Sequence, residues 1–144
     1  MSDTEYCYPP DFTVLKNKAG LRDAADLELF ERLNSRKRTL FLPTDIPVSE
    51  AGYREIHRHL FQDIYDWAGE YRRVNISKET TQFALAPFIS PNMKRVFREL
   101  DADQKLQGLD QETFSHRAAV YLDQRWQRTH SKTVFKKSCQ TGWL

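Results

Sequence analysis

The chain has 144 residues, 40% hydrophobic and 29% charged, with a net charge of +2. Those values fit one globular domain with a single core. No run approaches 18 apolar residues, which excludes a membrane-spanning helix, and two cysteines exclude a disulfide-dense scaffold.

The first twelve residues, MSDTEYCYPPDF, carry neither the basic nor the apolar stretch of a secretory signal. With Pro9-Pro10 they read as an irregular arm. Cys7 and Cys139 lie near opposite ends without a C-x-x-C pair, so neither a zinc site nor a disulfide framework is expected. Asp23 is placed to cap a first helix, in which Leu27, Phe30 and Leu33 recur as a core stripe. Pro43 and Pro47 punctuate the next connection, and Ser49 is placed to cap a second helix. Along it Tyr53, Ile56, Leu60, Phe61, Ile64 and Trp67 or Ala68 form one apolar face, with Gly69 as its stop. Val74-Asn75-Ile76 and the polar SKETTQFA follow, and their alternation and β-branching predict a short extended segment or hairpin. Ser90-Pro91 predicts the start of a third helix, with Met93, Val96, Phe97 and Leu100 buried. After Gly108, Asp110 is placed to cap a last helix. Its expected apolar side is Phe114, Ala118, Tyr121 or Leu122, and Trp126. The expected fold is a mainly α-helical bundle interrupted by one small extended element.

Beyond residue 123 the periodicity fails. Residues 123–144 hold Arg125, Arg128, Lys132, Lys136 and Lys137 against Asp123, a balance of +4 on a body of −2. A basic tail raises nucleic-acid binding as an alternative, but a basic face across the whole domain is lacking, so nucleic acid is not an expected partner. Neither is a membrane.

Few side chains have the spacing of chemistry. His57 and His59 would point about 200° apart on a helix and cannot share a metal; surface or half-buried imidazoles are expected. His116 reads as a packing residue, and His130 has no partner at recognisable spacing. Asp63, Asp66 and Glu70 could form an acidic face, although Glu70 has Arg72 and Arg73 for neighbours. The five glycines, at 20, 52, 69, 108 and 142, form no G-x-G phosphate loop. The polar segment after the second helix differs, because an exposed extended edge can pair with a partner's chain.

The block LF-x-DIYDWAGEYR-x-VNISK followed by a short polar stretch and Phe83 resembles the Fic (Fido-fold) family. VLKNKAGLRDAADLELFE upstream and ETFSHRAAVYL downstream extend the resemblance over roughly residues 8 to 122, in order. It implies a helical bundle with a β-hairpin flap, incomplete at the C-terminus. It divides the chain into an arm (1–12), a partial Fido domain (13–122) and an atypical basic tail (123–144). The implied activity is protein adenylyltransferase: AMP moves from ATP, with Mg²⁺, to a Ser, Thr or Tyr hydroxyl of a target protein. A regulatory partner is also implied, and a location in the cytoplasm or, by delivery, in a host cell. On this resemblance residues 74–83 are the flap. Lys78 and Glu79 hold the positions closest to the nucleotide, where a lysine is a point charge for phosphate. Thr80, Thr81, Gln82 and Phe83 line the target-facing edge.

The family continues with H-P-F-x-[DE]-G-N-G-R-x-x-R, where the His is the general base and the Gly-Asn-Gly backbone a phosphate nest. This chain reads DQRWQRTHSKTVFKKSCQTGWL instead. No catalytic or metal residue is therefore assigned, and His130 takes no role. The expected cause is a truncation or a disrupted reading frame, leaving a transferase by descent that is inactive in this form. A non-catalytic module that binds partners through the flap is the alternative. The inhibitory S/T-x-x-x-E-G/N pattern has no match. The faces carrying Phe97 and Leu122 are expected to lack cover.

Overall fold

The computed structural model describes residues 5–75, 77–78, 81–82 and 84–121. Four helices dominate: α1 (Ala24–Leu40), α2 (Glu50–Phe61), α3 (Ala86–Ala102) and α4 (Gln111–Val120). Two antiparallel strands, β1 (Ser77–Lys78) and β2 (Thr81–Gln82), lie between α2 and α3, in the register Ser77 to Gln82 and Lys78 to Thr81. The helical bundle with one small hairpin matches the sequence expectation.

Three predicted caps are present. Asp23 accepts from the Ala25 and Asp26 N–H groups, Ser49 from Gly52 and Asp110 from Thr113. Each satisfies orphan donors of a helix start. The third helix corrects its prediction. It begins at Ala86, Pro87 takes the N-terminal proline position, and Pro91 lies inside the helix. Its start has no local cap; the Asn75 side chain accepts from Ala86 N–H at 2.8 Å across eleven residues. A tertiary cap of this kind leaves no local signature, so Ser90-Pro91 was the stronger signal.

The second helix is also shorter than its apolar face suggests, ending at Phe61. Residues 62–69 continue as turns, because the N-terminal segment takes their carbonyls. Lys18 N–H donates to Ile64 and Lys18 Nζ to Gln62, both at 2.8 Å.

Two buried clusters meet on α2. Around Phe61 pack Cys7, Val14, Leu15, Leu27, Ile64, Tyr65 and Ala68. Around Tyr53 pack Ile89, Met93, Val96, Phe97 and Leu100 of α3 with Leu106 and Tyr121. The arm joins the first cluster through an antiparallel bridge between Cys7 and Leu15. Cys7 is fully buried in that cluster, and Cys139 lies outside the described residues. Phe97 is buried, so the expected lack of cover does not hold there; Leu122, Trp126 and His130 lie outside the described residues.

Two stripe residues are exposed instead of buried. Leu33 is 59% exposed, because a spacing of three drifts about 60° per step and carries it 120° from Leu27. The buried face of α1 runs through Leu27 and Glu31, and Glu31 accepts from the Tyr65 hydroxyl at 2.6 Å. Burial, then the Glu31 charge, pushes the Tyr65 hydroxyl above its ordinary range. Phe114 is also exposed, because α4 buries only its far end, where Tyr121 and partly Ala118 pack. His116 is exposed.

A forked ion pair ties α1 to the turn after α2: Arg38 Nε and Nη2 each donate to Asp63 at 2.7 Å. These bonds, with charge attraction added and burial opposing, hold the Asp63 carboxyl below the usual carboxylate range. A depressed carboxylate stabilises the fold above its unfolded value, about 3.9, and stops doing so as pH falls through its lower folded value. Asp63→Asn is therefore expected to lower the urea midpoint at neutral pH. The difference from wild type should close as the solution is acidified below the carboxylate range.

Candidate functional site

The run Trp67–Arg72 is where the chain leaves the α2 region for the hairpin, and each residue is tied down. Trp67 stacks on Tyr65 with centroids 4.4 Å apart and meets Tyr6 edge-on. Ala68 is buried. Gly69 has φ +82, and a Cβ there would lie 2.9 Å from the Arg54 carbonyl oxygen and from Arg58 Cβ. Only glycine suits both the left-handed backbone and the close approach.

The Gly69 peptide groups are held from one helix. Its N–H donates to His57 Nδ1 at 2.8 Å, and its carbonyl accepts from Arg54 Nε at 2.8 Å. His57 is 1% exposed, so the expectation of a surface or half-buried imidazole is corrected. Because a backbone amide only donates, Nδ1 must be the bare nitrogen, which fixes a neutral ring with the proton on Nε2. His59 points elsewhere, with Nε2 2.9 Å from the Arg38 carbonyl oxygen. The two histidines do diverge, as helical geometry requires.

Tyr71 donates to Glu50 at the start of α2 at 2.9 Å, with Arg54 over its ring. Arg72 spans the base of the hairpin. Its Nη1 donates to Val74 O at 2.7 Å on the entering leg, and its Nη2 donates to Ala84 O on the leaving leg. Asn75 adds the bond to Ala86 N–H that caps α3. The hairpin legs are thus joined to each other by Arg72 and to α3 by Asn75. Glu70 pairs with Arg73 at 3.3 Å, as the sequence suggests, while Asp63 and Asp66 turn to Arg38 and Lys18.

Of the predicted site residues, Lys78 lies on β1 opposite Thr81, and Gln82 lies opposite Ser77. Glu79, Thr80 and Phe83 lie outside the described residues. Sequence reasoning missed Gly69, His57, Arg72 and Asn75 as the parts that hold the hairpin. The W-A-G-E-Y-R-R run marked the place but carried no sign of their distant partners. Among the described residues no group of three His, Cys, Asp or Glu side chains could hold a metal. An open groove of about 610 Å³ lies between α2 and α3, lined by Ser49, Glu50, Lys94, Phe97, Arg98 and Asp101 among others. Its mixed charges select no single ligand.

Residues 47–127 match the Fic/DOC family model. A probable protein adenylyltransferase, y4lH of Sinorhizobium fredii, is 35% identical over 117 residues, which are 81% of this chain and 60% of that protein. Protein adenylyltransferase VbhT of Bartonella schoenbuchensis is 34% identical over 119 residues, covering 78% of this chain and 24% of VbhT. The chain thus spans three fifths or less of these relatives. The fold resembles that of BepC, a translocated effector of Bartonella tribocorum solved with AMPPNP. The TM-score is 0.70 at 25% identity, over 82% of this chain and 64% of that one. The Fic domain of a Bartonella quintana effector solved with ADP gives a TM-score of 0.76 at 23% identity. That match covers 94% of this chain and 70% of the other, and carries the fold alone.

Gly69→Ala is expected to destabilise the chain by more than about 1 kcal/mol, because the new Cβ meets both strain and contact. Thermal denaturation measures it. Arg72→Lys keeps the charge but cannot fork to two carbonyls. Amide exchange at residues 77–82 should accelerate at least severalfold, with little change in the exchange of α3.

Proposed function

From the premise that the chain belongs to the Fic/DOC family, we propose that it is the scaffold and flap of a protein adenylyltransferase that does not itself complete AMP transfer. The observation behind the flap reading is the braced hairpin, whose legs Arg72 joins and whose exit Asn75 fixes to α3. A two-stranded sheet leaves one backbone edge of each strand unpaired, and an extended segment of a target protein can add there as a further strand. On this reading residues 13–122 form the Fido domain, and Thr80, Thr81, Gln82 and Phe83 receive the target's hydroxyl-bearing segment. Lys78 and Glu79 hold the flap positions closest to the nucleotide.

The transfer chemistry is another matter. ATP is the nucleotide that adenylyltransferase relatives imply, with Mg²⁺ expected beside it. Within the 144 residues there is no G-N-G-R run and no G-x-G loop to cradle phosphates. The described residues also supply no cluster of carboxylates and imidazoles for a cation. These donors do not fit ATP with Mg²⁺. One oxyanion donor is worth roughly 3 kcal/mol in a transition state; the family's loop supplies several at once.

Two measurements test the two halves of the proposal. Incubation of the purified chain with labelled ATP and Mg²⁺ should give no labelled protein, itself included, above the level of a heat-denatured control. Magnesium-dependent labelling would overturn the inactivity. Gln82→Pro removes an N–H donor from β2 and is expected to abolish capture of target segments while leaving the melting temperature within a few degrees. Capture unaffected by that substitution would count against the flap as the binding edge.

A further inference from the structure

The outer face of α1 is apolar and exposed among the described residues. Leu29 is 47% exposed, Leu33 59% and Leu40 81%. With Asp26 and Arg36 they follow a spacing of three and four: 26, 29, 33, 36, 40. That is the seam of a helix pair, not of a helix packed on a broad core, whose buried side here is the opposite face with Leu27 and Glu31.

The charges on the seam are ordered as well. The N-terminal end carries Asp26 and the C-terminal end carries Arg36 with Lys37 beside it, all exposed. Among the described residues neither Asp26 nor Arg36 makes an ion pair. We propose that α1 pairs antiparallel with α1 of a second copy of this chain, about a two-fold axis between Leu29 and Leu33. In that register Leu29 packs on the partner's Leu33 and Leu33 on the partner's Leu29. Asp26 then faces the partner's Arg36 on either side of the apolar layers. A parallel pair would set Asp26 against Asp26 and Arg36 against Arg36, so the charge order selects the antiparallel form. The contact is isologous and closes as a dimer. One 17-residue helix per chain is a small interface, so the association is weak and sensitive to salt.

Sedimentation of the full chain from micromolar to millimolar concentration tests this. A reversible monomer–dimer equilibrium is expected. Leu33→Glu should leave the chain monomeric with a melting temperature equal to wild type's when both are measured at the dilute, monomeric end of the range, since the side chain is mostly exposed. Asp26→Arg and Arg36→Asp should each weaken the dimer severalfold, and the double substitution should restore it by exchanging the two ends. Four results would overturn the proposal. These are a monomer at every concentration, a dimer indifferent to Leu33→Glu, a double variant no better than the single ones, or a melting temperature lowered by Leu33→Glu at a concentration where wild type is monomeric. The last would mean that the chain's own residues cover the stripe.

Discussion

The amide of Gly69 and its carbonyl are both held by α2, one by His57 and the other by Arg54. Everything on the hairpin side of the molecule depends on that hold. It fixes the direction in which the chain leaves the helical body, and with it the place of Tyr71 against Glu50 and of Arg72 between Val74 and Ala84. A two-residue strand pair has too few hydrogen bonds to define itself in water. Here its geometry is set from its base, by side chains rooted in the core. The same constraint explains the glycine, because no side chain fits between the two α2 turns.

The bond from the Gly69 amide ties this joint to the charge state of a buried histidine. Protonation would turn Nδ1 from acceptor to donor against another donor, and the cost of the unmade bond would fall on the junction. His57 packs against Phe61 and Trp67, with ring centroids 4.9 Å and 6.1 Å away. Arg54 holds the same glycine, and Arg58 Cβ lies beside it. The bond that Nδ1 accepts requires a bare nitrogen, and with it the uncharged ring.

How much of this was legible follows from the range of each interaction. The caps Asp23, Ser49 and Asp110 act within three residues, so the sequence showed them directly. The α3 core stripe at Met93, Val96, Phe97 and Leu100 was equally local. The start of α3 was misplaced because its cap is Asn75, eleven residues upstream. The end of α2 was misplaced because Lys18, from a different segment, intercepts its carbonyls. Leu33 was misassigned by a spacing that drifts around the helix, and its exposure gave α1 the outer seam. The hairpin was found at the right place from alternation and β-branching. The parts that brace it were invisible because their partners are close only in the fold. The family resemblance supplied what periodicity lacks, a reason for a polar segment beside a helical core.

The most direct test of the junction is nitrogen NMR of the His57 imidazole in the intact chain at neutral pH. The account predicts a neutral ring with the proton on Nε2 and a through-hydrogen-bond coupling between the Gly69 amide nitrogen and His57 Nδ1. A proton on Nδ1, or a Gly69 amide that exchanges as freely as an exposed loop, would contradict it.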